Sequence, residues 1–579
     1  MSQHRPITRW GLTICVAAWV SACGGGGGGS APAGGPLLPA VSQDIVPAGA
    51  GTDVSARDYF TLGPGNVWVY ARRIANNPNA RVLTRRVEGL PDAAGYVVVS
   101  ETDGTEVDTS RQRVTAQGLE TLDPVGAQGV WPGVYAALPT FIDIPTPFYA
   151  AGGTRKVIRQ GDIQADVDAD GKNDYFRIEI TQVFVGFESL SVLGQPTMVA
   201  HFRTTFAFTV AATASNASTT TVGVEDAYLA DGLGLVKAER TGTAPDGSAL
   251  FTPYTLDLVS ATVNAQTYTV DGRSFELALN HRGVVFDAAR GVFHVSVTAA
   301  DPAHANQIAT INPTTGAVSY STPVGSGPGP LAVAADGSVL YVGLEGSGEV
   351  LKLALPSMTE VARVRMPSDP NFGQLLPEDI SASPTSSAVF AVSLARTGVS
   401  PRHGGVALVV DMVVQPQRTQ EHTGSNRIEF DASGGWVFGY NNETSEFGLR
   451  RIEVLSSGLV ERQVVSTGGN FGPELRVFDG LATIDNKVFT ADASLALLGT
   501  IVNGRDCVKL PAVPKLACQS ALNFTRLSVV DAVTFTEVAS PTFASSATTS
   551  EWRLIPGAAG QVAISEYGRI VIFSSSALR

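Results

Sequence analysis

The chain is poor in positive charge. Its 579 residues hold 40 lysines and arginines against 53 aspartates and glutamates, a net charge of −13, and seven of the 40 are lysine. No long basic run occurs, so the electrostatic footprint that phosphate backbones or anionic lipids require is missing. Nucleic acid is therefore not an expected partner. Cysteine is scarce, at four, and no pair has a CxxC or CxxCH spacing, which argues against zinc ribbons, dithiol redox sites and attached haem. The seven histidines (His4, His201, His281, His294, His304, His403 and His422) form no HExxH or other close ligand spacing. A G-x-S-x-G elbow, a P-loop and a strand–GxGxxG–helix unit are also missing. The glycine-rich "GSGPGP" at 325–330 contains prolines, which remove the amides a phosphate cradle needs, so it is expected to be a turn. No catalytic residue is assigned on these grounds, and binding is expected rather than catalysis.

The first residues do not read as part of a fold. Arg5 and Arg9 precede the short apolar run "WGLTICVAAWV", and small residues follow. That is the layout of a secretory signal, with an apolar stretch too short for a stable membrane span. The run ends in "VSAC", Val20 to Cys23, which resembles a bacterial lipobox, although leucine is commoner at the Val20 position. The resemblance implies a signal peptide over residues 1–22 and lipidation of Cys23. Several acyl chains on Cys23 would make a durable anchor. By resemblance to the sorting rules of Gram-negative lipoproteins, Gly24 in place of aspartate favours the outer membrane. Residues 23–52 continue as "GGGGGGSAPAGGPLLPA" and similar chain, too poor in apolar side chains to fold, and read as a tether. Loss of the signal removes Arg5 and Arg9, leaving 38 basic against 53 acidic residues, or −15.

Two cysteines then remain, Cys507 and Cys518, in "DCVKLPAVPKLAC". Outside the cytoplasm a lone close pair reads as a disulfide. Closing so small a loop stabilises by roughly 3 kcal/mol. About 550 residues of mature chain are too many for one core. Glycine and proline, at 61 and 33, and plentiful Val, Thr and Phe point to an all-β chain.

Residues 53–265 read as an antiparallel β-sheet or half-barrel domain. In "DYFRIEI", Phe176, Ile178 and Ile180 alternate with Arg177 and Glu179, the period of a half-buried strand. Residues 266–579 are repetitive. A small polar turn followed by an apolar strand recurs as "FDAARGVFHVSV", "AADGSVLYVGL", "SPTSSAVFAVSL", "FDASGGWVFGY" and "TIDNKVFTAD". Anchored on Asp287, Asp336, Thr385, Asp431 and Asp485, the spacings are 49, 49, 46 and 54, and "PGAAGQVAISEYGRIVIF" is a worn further copy. Such a period suits the blades of a β-propeller, each of which must stack on its neighbours to bury its sheet faces. Seven blades are expected, with six as the alternative; strands around "FTPYTLDLVSATV" and "QTYTVDGRSFELAL" are candidates to complete the seventh. The cysteine loop is expected to be an insertion within the fifth unit. The segment "INPTTGAVSYSTPVGSGPGPLAVAADGSVLYVGL" resembles the YVTN-type bacterial propeller repeat.

That resemblance implies a scaffold and fixes no chemistry. The expected role is binding or scaffolding in the cell envelope, with a protein or glycan partner. A hydrolase or lyase with its site at the channel mouth is the alternative, with His403 and Glu429 as imaginable contributors, and a surface adhesin is another. Acid pairs such as Glu378–Asp379 read as solvated loop carboxylates.

One stretch suggests a metal. "ADVDADGKND" places Asp166, Asp168, Asp170 and Asp174 around Gly171, and Lys172 adds a backbone carbonyl. Calcium takes six to eight oxygens at close range, and alternate aspartates on a tight loop can converge on one centre. The first half resembles an EF-hand loop, but Arg177 stands where that loop has a bidentate glutamate. Asp174 instead resembles the shorter loops of integrin-like and thrombospondin-type modules. A structural calcium ion is the expected cofactor; the competing reading is an Asp-rich turn. Affinity would be weak, on the order of 10⁻⁴ to 10⁻³ M. Millimolar calcium is then expected to raise the melting temperature, and joint Asp168→Ala and Asp170→Ala substitution to abolish the rise. An unmutated protein whose melting ignores calcium refutes the site.

Overall fold

The computed structural model describes residues 43–45, 52–74, 81–103, 106–122, 140–166, 169–211, 218–243, 253–422, 424–520, 525–545 and 552–579. The signal segment, Cys23 and Asp168 lie outside the described residues. The chain divides into two compact units, residues 1–270 and 271–579.

The first unit is a curled antiparallel sheet. Its longest hairpin joins Tyr175–Val192 to Gln195–Ala211. The tight turn falls at Leu193 and Gly194, both at positive φ. Alternation works as the sequence implies: Phe176, Ile178 and Ile180 are buried, while Arg177 is exposed. Ile180 faces Phe206 across the ladder and Ile178 faces Phe208, and with Val157 and Ile163 they form one apolar cluster. Tyr254–Val263 pairs with Val67–Ile74, joining the end of the unit to its beginning. Gln266–Thr269 folds back on Tyr254–Val263 and stays with this unit. At the far edge of the sheet, Thr140–Pro145 is reached by side chains: Arg155 Nη1 donates to Ile142 O (2.5 Å) and Gln182 Nε2 to Asp143 O (2.8 Å). The interior also holds charge. Arg72 pairs with Asp103 at 2.7 Å and Arg240 with Glu225 at 2.5 Å, all four largely out of water.

The second unit is a propeller. Six four-stranded antiparallel sheets follow one another along the chain, over 281–320, 328–365, 376–414, 427–466, 475–500 and 504–539. A seventh is composite. Trp552–Pro556, Gln561–Glu566 and Arg569–Ser574 take Gly272–Ala278, from the start of the unit, as their fourth strand. This closes the ring, because the outermost strand of the last blade is contributed by the segment that leads into the first. Each second strand is buried on both faces, which explains continuous apolar runs such as Val339–Leu344.

Three expectations change. "FTPYTLDLVSATV" belongs to the first unit, and "GRSFELA" alone completes the ring. Asp485 follows the second strand of blade five; the turn equivalent to the other anchors is Asp479–Gly480. Moving the anchor there brings the spacing back towards that of the other blades. The cysteines are not an insertion. Cys507 lies on Gly504–Lys509 and Cys518 on Lys515–Ser520, the first two strands of blade six, and they are disulfide-bonded. This blade escaped the repeat pattern because its first turn, "LPAVP", has none of the Asp, Gly or Ser that mark the others. Both sulfurs are buried beside Ile501, Leu516 and Val530.

Ring closure rests on the strand Gly272–Ala278. Phe275 packs there in a cluster with Ile570, Ile572 and Phe293. Phe275→Ala is expected to cost roughly 3–5 kcal/mol in urea unfolding of the propeller. A loss under about 1 kcal/mol would mean that the ring does not depend on this strand.

Candidate functional site: the charged propeller channel

The first strand of each blade lines the central channel. Such a strand has one neighbour within its blade, so its inner edge carries unpaired backbone groups. Side chains from the preceding blade take them up. Ile428 N donates to Asp379 Oδ2 (2.9 Å) and Phe430 N to Ser381 Oγ (3.0 Å), each 49 residues apart. Val477 N donates to Glu429 Oε2 (2.6 Å) and Leu554 N to Asp506 Oδ2 (2.8 Å), each 48 apart. The separations match the blade period. Second strands bind the next blade in a similar way, through Ser296 Oγ to Gly329 O (2.7 Å), Ser393 Oγ to Ser425 O (2.7 Å) and Tyr440 Oη to Asn470 O (3.0 Å).

The channel encloses a cavity of about 970 Å³. Its charged mouth lies where the inner strands begin and where the loops between second and third strands emerge. Arg282 meets Glu345 at 3.0 Å. Arg402 bridges Glu378 (2.6 Å) and Glu443 (3.4 Å). Asn426 Nδ2 donates to both oxygens of Glu378 (3.4 and 3.2 Å) and to Glu443 Oε2 (3.2 Å). Glu474 sits between Arg427 and Arg553, at 2.9 Å from each. Four arginines thus face four glutamates. Deeper in, Arg476 joins Glu429 Oε1 (3.4 Å) and donates to Leu554 O (2.9 Å). Glu378 and Asp379 are therefore not loop carboxylates. They occupy the inner strand of blade three, and Glu378 is largely buried.

Burial separates the acids. It pushes Glu429 up to about 7 and Asp379 up to about 6, against the pull of Arg476 and Arg427 respectively. Burial raises Asp506 as well, with Arg476 opposing. In Glu474 the same penalty is overcome by Arg427 and Arg553, which hold it down at about 2. Burial disfavours the Arg427 and Arg476 cations, but the surrounding carboxylates outweigh it and keep both above the usual arginine range. The Glu429 side chain is 28% exposed, and solvent in the channel screens these charges.

The sequence-expected residues fall apart in space. Glu429 lines the cavity, whereas His403 is fully enclosed between blades three and four. Burial and three nearby arginines lower His403 to about 3, and its Nε2 accepts from Ser425 N (3.2 Å), so it is a neutral core imidazole. His294 is likewise buried, tied to Thr310 (3.0 Å) and Asp287 (3.4 Å). In the first unit, His201 lies between Glu188 (2.9 Å) and Asp226 (2.8 Å). On the acidic loop, Asp166 accepts from Asp170 N (3.1 Å) and Gly171 N (2.8 Å), and Asp170 accepts from Lys172 N (2.8 Å). Asp174 is buried. Among the described residues no group of three His, Cys, Asp or Glu side chains is placed to hold a metal; Asp168 is not one of those residues. The mouth residues Arg402, Arg427, Glu443, Glu474 and Arg553 were missed. Four of the five carry one signal, charge at or just before the start of a strand, as in "NRIEF" and "ELRVF"; Glu443 lies in a loop.

The raised Glu429 has a pH consequence. The native state holds its proton between the ordinary glutamate pKa and about 7, so this group's stability contribution is lost as pH rises through that window. Buried histidines such as His403 act in the opposite sense below about 6.5. The readout is therefore a difference. Glu429→Gln, which still accepts from Val477 N, is expected to gain melting temperature over the parent as pH rises from about 5 to 8. Parallel curves would show that the carboxyl titrates normally.

No protein-family model matches the chain, and no curated protein matches it. Several solved structures are similar in part. One is the β-propeller domain of Cps50 (Swd1) from Myceliophteria thermophila, at 14% identity and TM-score 0.38, over 52% of this chain and 98% of that one. Another is hydrazine synthase of Kuenenia stuttgartiensis, at 13% and 0.40, over 52% of this chain and 96% of that one. A third is dihydro-heme d1 dehydrogenase NirN, at 14% and 0.38, over 59% and 69%. Likenesses this distant carry no argument about chemistry, and the propeller stands on its own strand pairing.

Proposed function

We propose that the protein is an outer-membrane-anchored lipoprotein of the bacterial envelope that binds or scaffolds a partner at the mouth of its propeller. The observation that carries this reading is the mouth itself, a ring of paired charged side chains opening into a cavity of about 970 Å³. The channel acids beneath it are already engaged as acceptors for the next blade, which suits a rigid frame holding a recognition surface. The anchoring part rests on "VSAC", Cys23 and the glycine-rich tether that follows. Calcium in the 166–174 loop belongs to the same reading, as a staple suited to a compartment rich in that ion.

A second reading, a hydrolase or lyase with its site in the channel, is favoured by one observation. Glu429 and Asp379 are pushed towards neutral pH while nearby Glu474 stays ionised, the kind of separation that acid–base chemistry uses.

Two measurements test the proposal. Cys23→Ser is expected to move the protein from the membrane fraction to the soluble one; a variant that still sediments with membranes removes the anchor. Crosslinking of intact envelopes is expected to capture a recurring partner or glycan that is lost with Arg402→Ala. Unchanged capture by that variant places binding elsewhere.

A further inference from the structure

Resting on that binding reading, we infer that the mouth recognises a neutral, polyhydroxylated ligand, an oligosaccharide chain. The arginine–glutamate pairs would hydrogen-bond its hydroxyls, and the exposed rings of Phe372, Phe471 and Tyr567 would take its sugar faces.

The first argument is charge. The four arginines of the mouth are matched by four glutamates at salt-bridge distance. An ionic ligand gains no net field there, and seating it would break a pair and leave a poorly hydrated partner behind. A neutral ligand pays neither penalty. The second is hydrogen-bond chemistry. Each guanidinium offers five N–H donors in a plane and each carboxylate about four acceptor sites, so the pairs present donors and acceptors side by side. Neighbouring sugar hydroxyls both donate and accept, and match that arrangement.

The third argument is where the aromatic rings lie. In the propeller the aromatic side chains of Phe372 (42%), Phe471 (67%) and Tyr567 (92%) are exposed. All three sit on loops at the mouth end. Phe372 lies in the 366–375 link into blade three, Phe471 in the 467–474 link into blade five, and Tyr567 in the turn between Gln561–Glu566 and Arg569–Ser574. Two of them are braced, Phe471 edge-on to Phe447 at 4.9 Å and Phe372 by the Arg396 guanidinium at 5.0 Å. Rings held out to water on loops at the same end as the polar opening suit a ligand with one apolar face and a polar edge, as a pyranose has. The cavity of about 970 Å³ stands at the upper end of the roughly 300–1,000 Å³ found for small-molecule sites, room for several sugar units.

The test uses the full-length lipidated protein in detergent. It is titrated calorimetrically with maltohexaose, cellohexaose and chitohexaose, and with spermine and inorganic tripolyphosphate as charged probes. At least one hexasaccharide is expected to bind, with an affinity changing less than about twofold between roughly 0.05 and 0.5 M NaCl, because no net charge is screened. Tyr567→Ala and Phe471→Ala, both at exposed positions that leave folding intact, are each expected to weaken it by about tenfold, with Tyr567→Phe retaining it. The inference is overturned if no hexasaccharide binds, or if spermine or tripolyphosphate binds most tightly and is displaced by salt. If an envelope protein is instead captured at the mouth in an Arg402-dependent way while the saccharides stay silent, the ligand class is wrong and the binding role survives. If neither binds, both fall.

Discussion

The structure of the propeller depends on one constraint, the free inner edge of each blade's first strand. A sheet edge facing a closed ring has backbone groups that no further strand can pair. Here neighbouring blades supply the missing partners from side chains, with Asp379, Ser381, Glu429 and Asp506 accepting backbone N–H groups one blade away. Most of the channel's electrostatics follow. Carboxylates recruited as acceptors are drawn into a poorly hydrated space, and arginines are needed beside them. Arg476 shows the coupling, meeting both Glu429 and the Leu554 carbonyl.

This separates two roles that share one lining. The deep groups tie blades together, and removing one partner would strand the other, which costs far more than the pair itself contributes. Three arginines of the mouth keep contact with water: the side chains of Arg282, Arg402 and Arg553 are 61%, 42% and 45% exposed. The water-exposed end is thus carried on a frame stiffened from within.

Much of the fold was legible in the sequence. Alternation in "DYFRIEI" implies a half-buried strand and the recurring turn-and-strand phrase a propeller, because both patterns are set locally by burial and turn chemistry. The errors were local as well. Blade six lacks the usual turn residues, so nothing local marks its first turn, and blade five has a second turn of the same composition one strand later. The acidic loop is legible as a tight turn, since Asp166 and Asp170 accept backbone N–H groups there. The mouth was not legible, because Glu378, Arg402, Arg427, Glu443, Glu474 and Arg553 span most of the propeller's sequence and each looks like an ordinary charged residue.

By itself, then, the sequence determined the all-β class, the blade period and the cysteine pair, since each is written in residues close along the chain. Tertiary structure alone decided which strand closes the ring and which charges meet. Gly272–Ala278 joins Arg569–Ser574 across almost the whole propeller, and Arg427, Glu474 and Arg553 become one cluster although they lie on three separate blades. The physical reason is that radial stacking brings one point of every blade to a common axis, and no local pattern records which side chains will stand there.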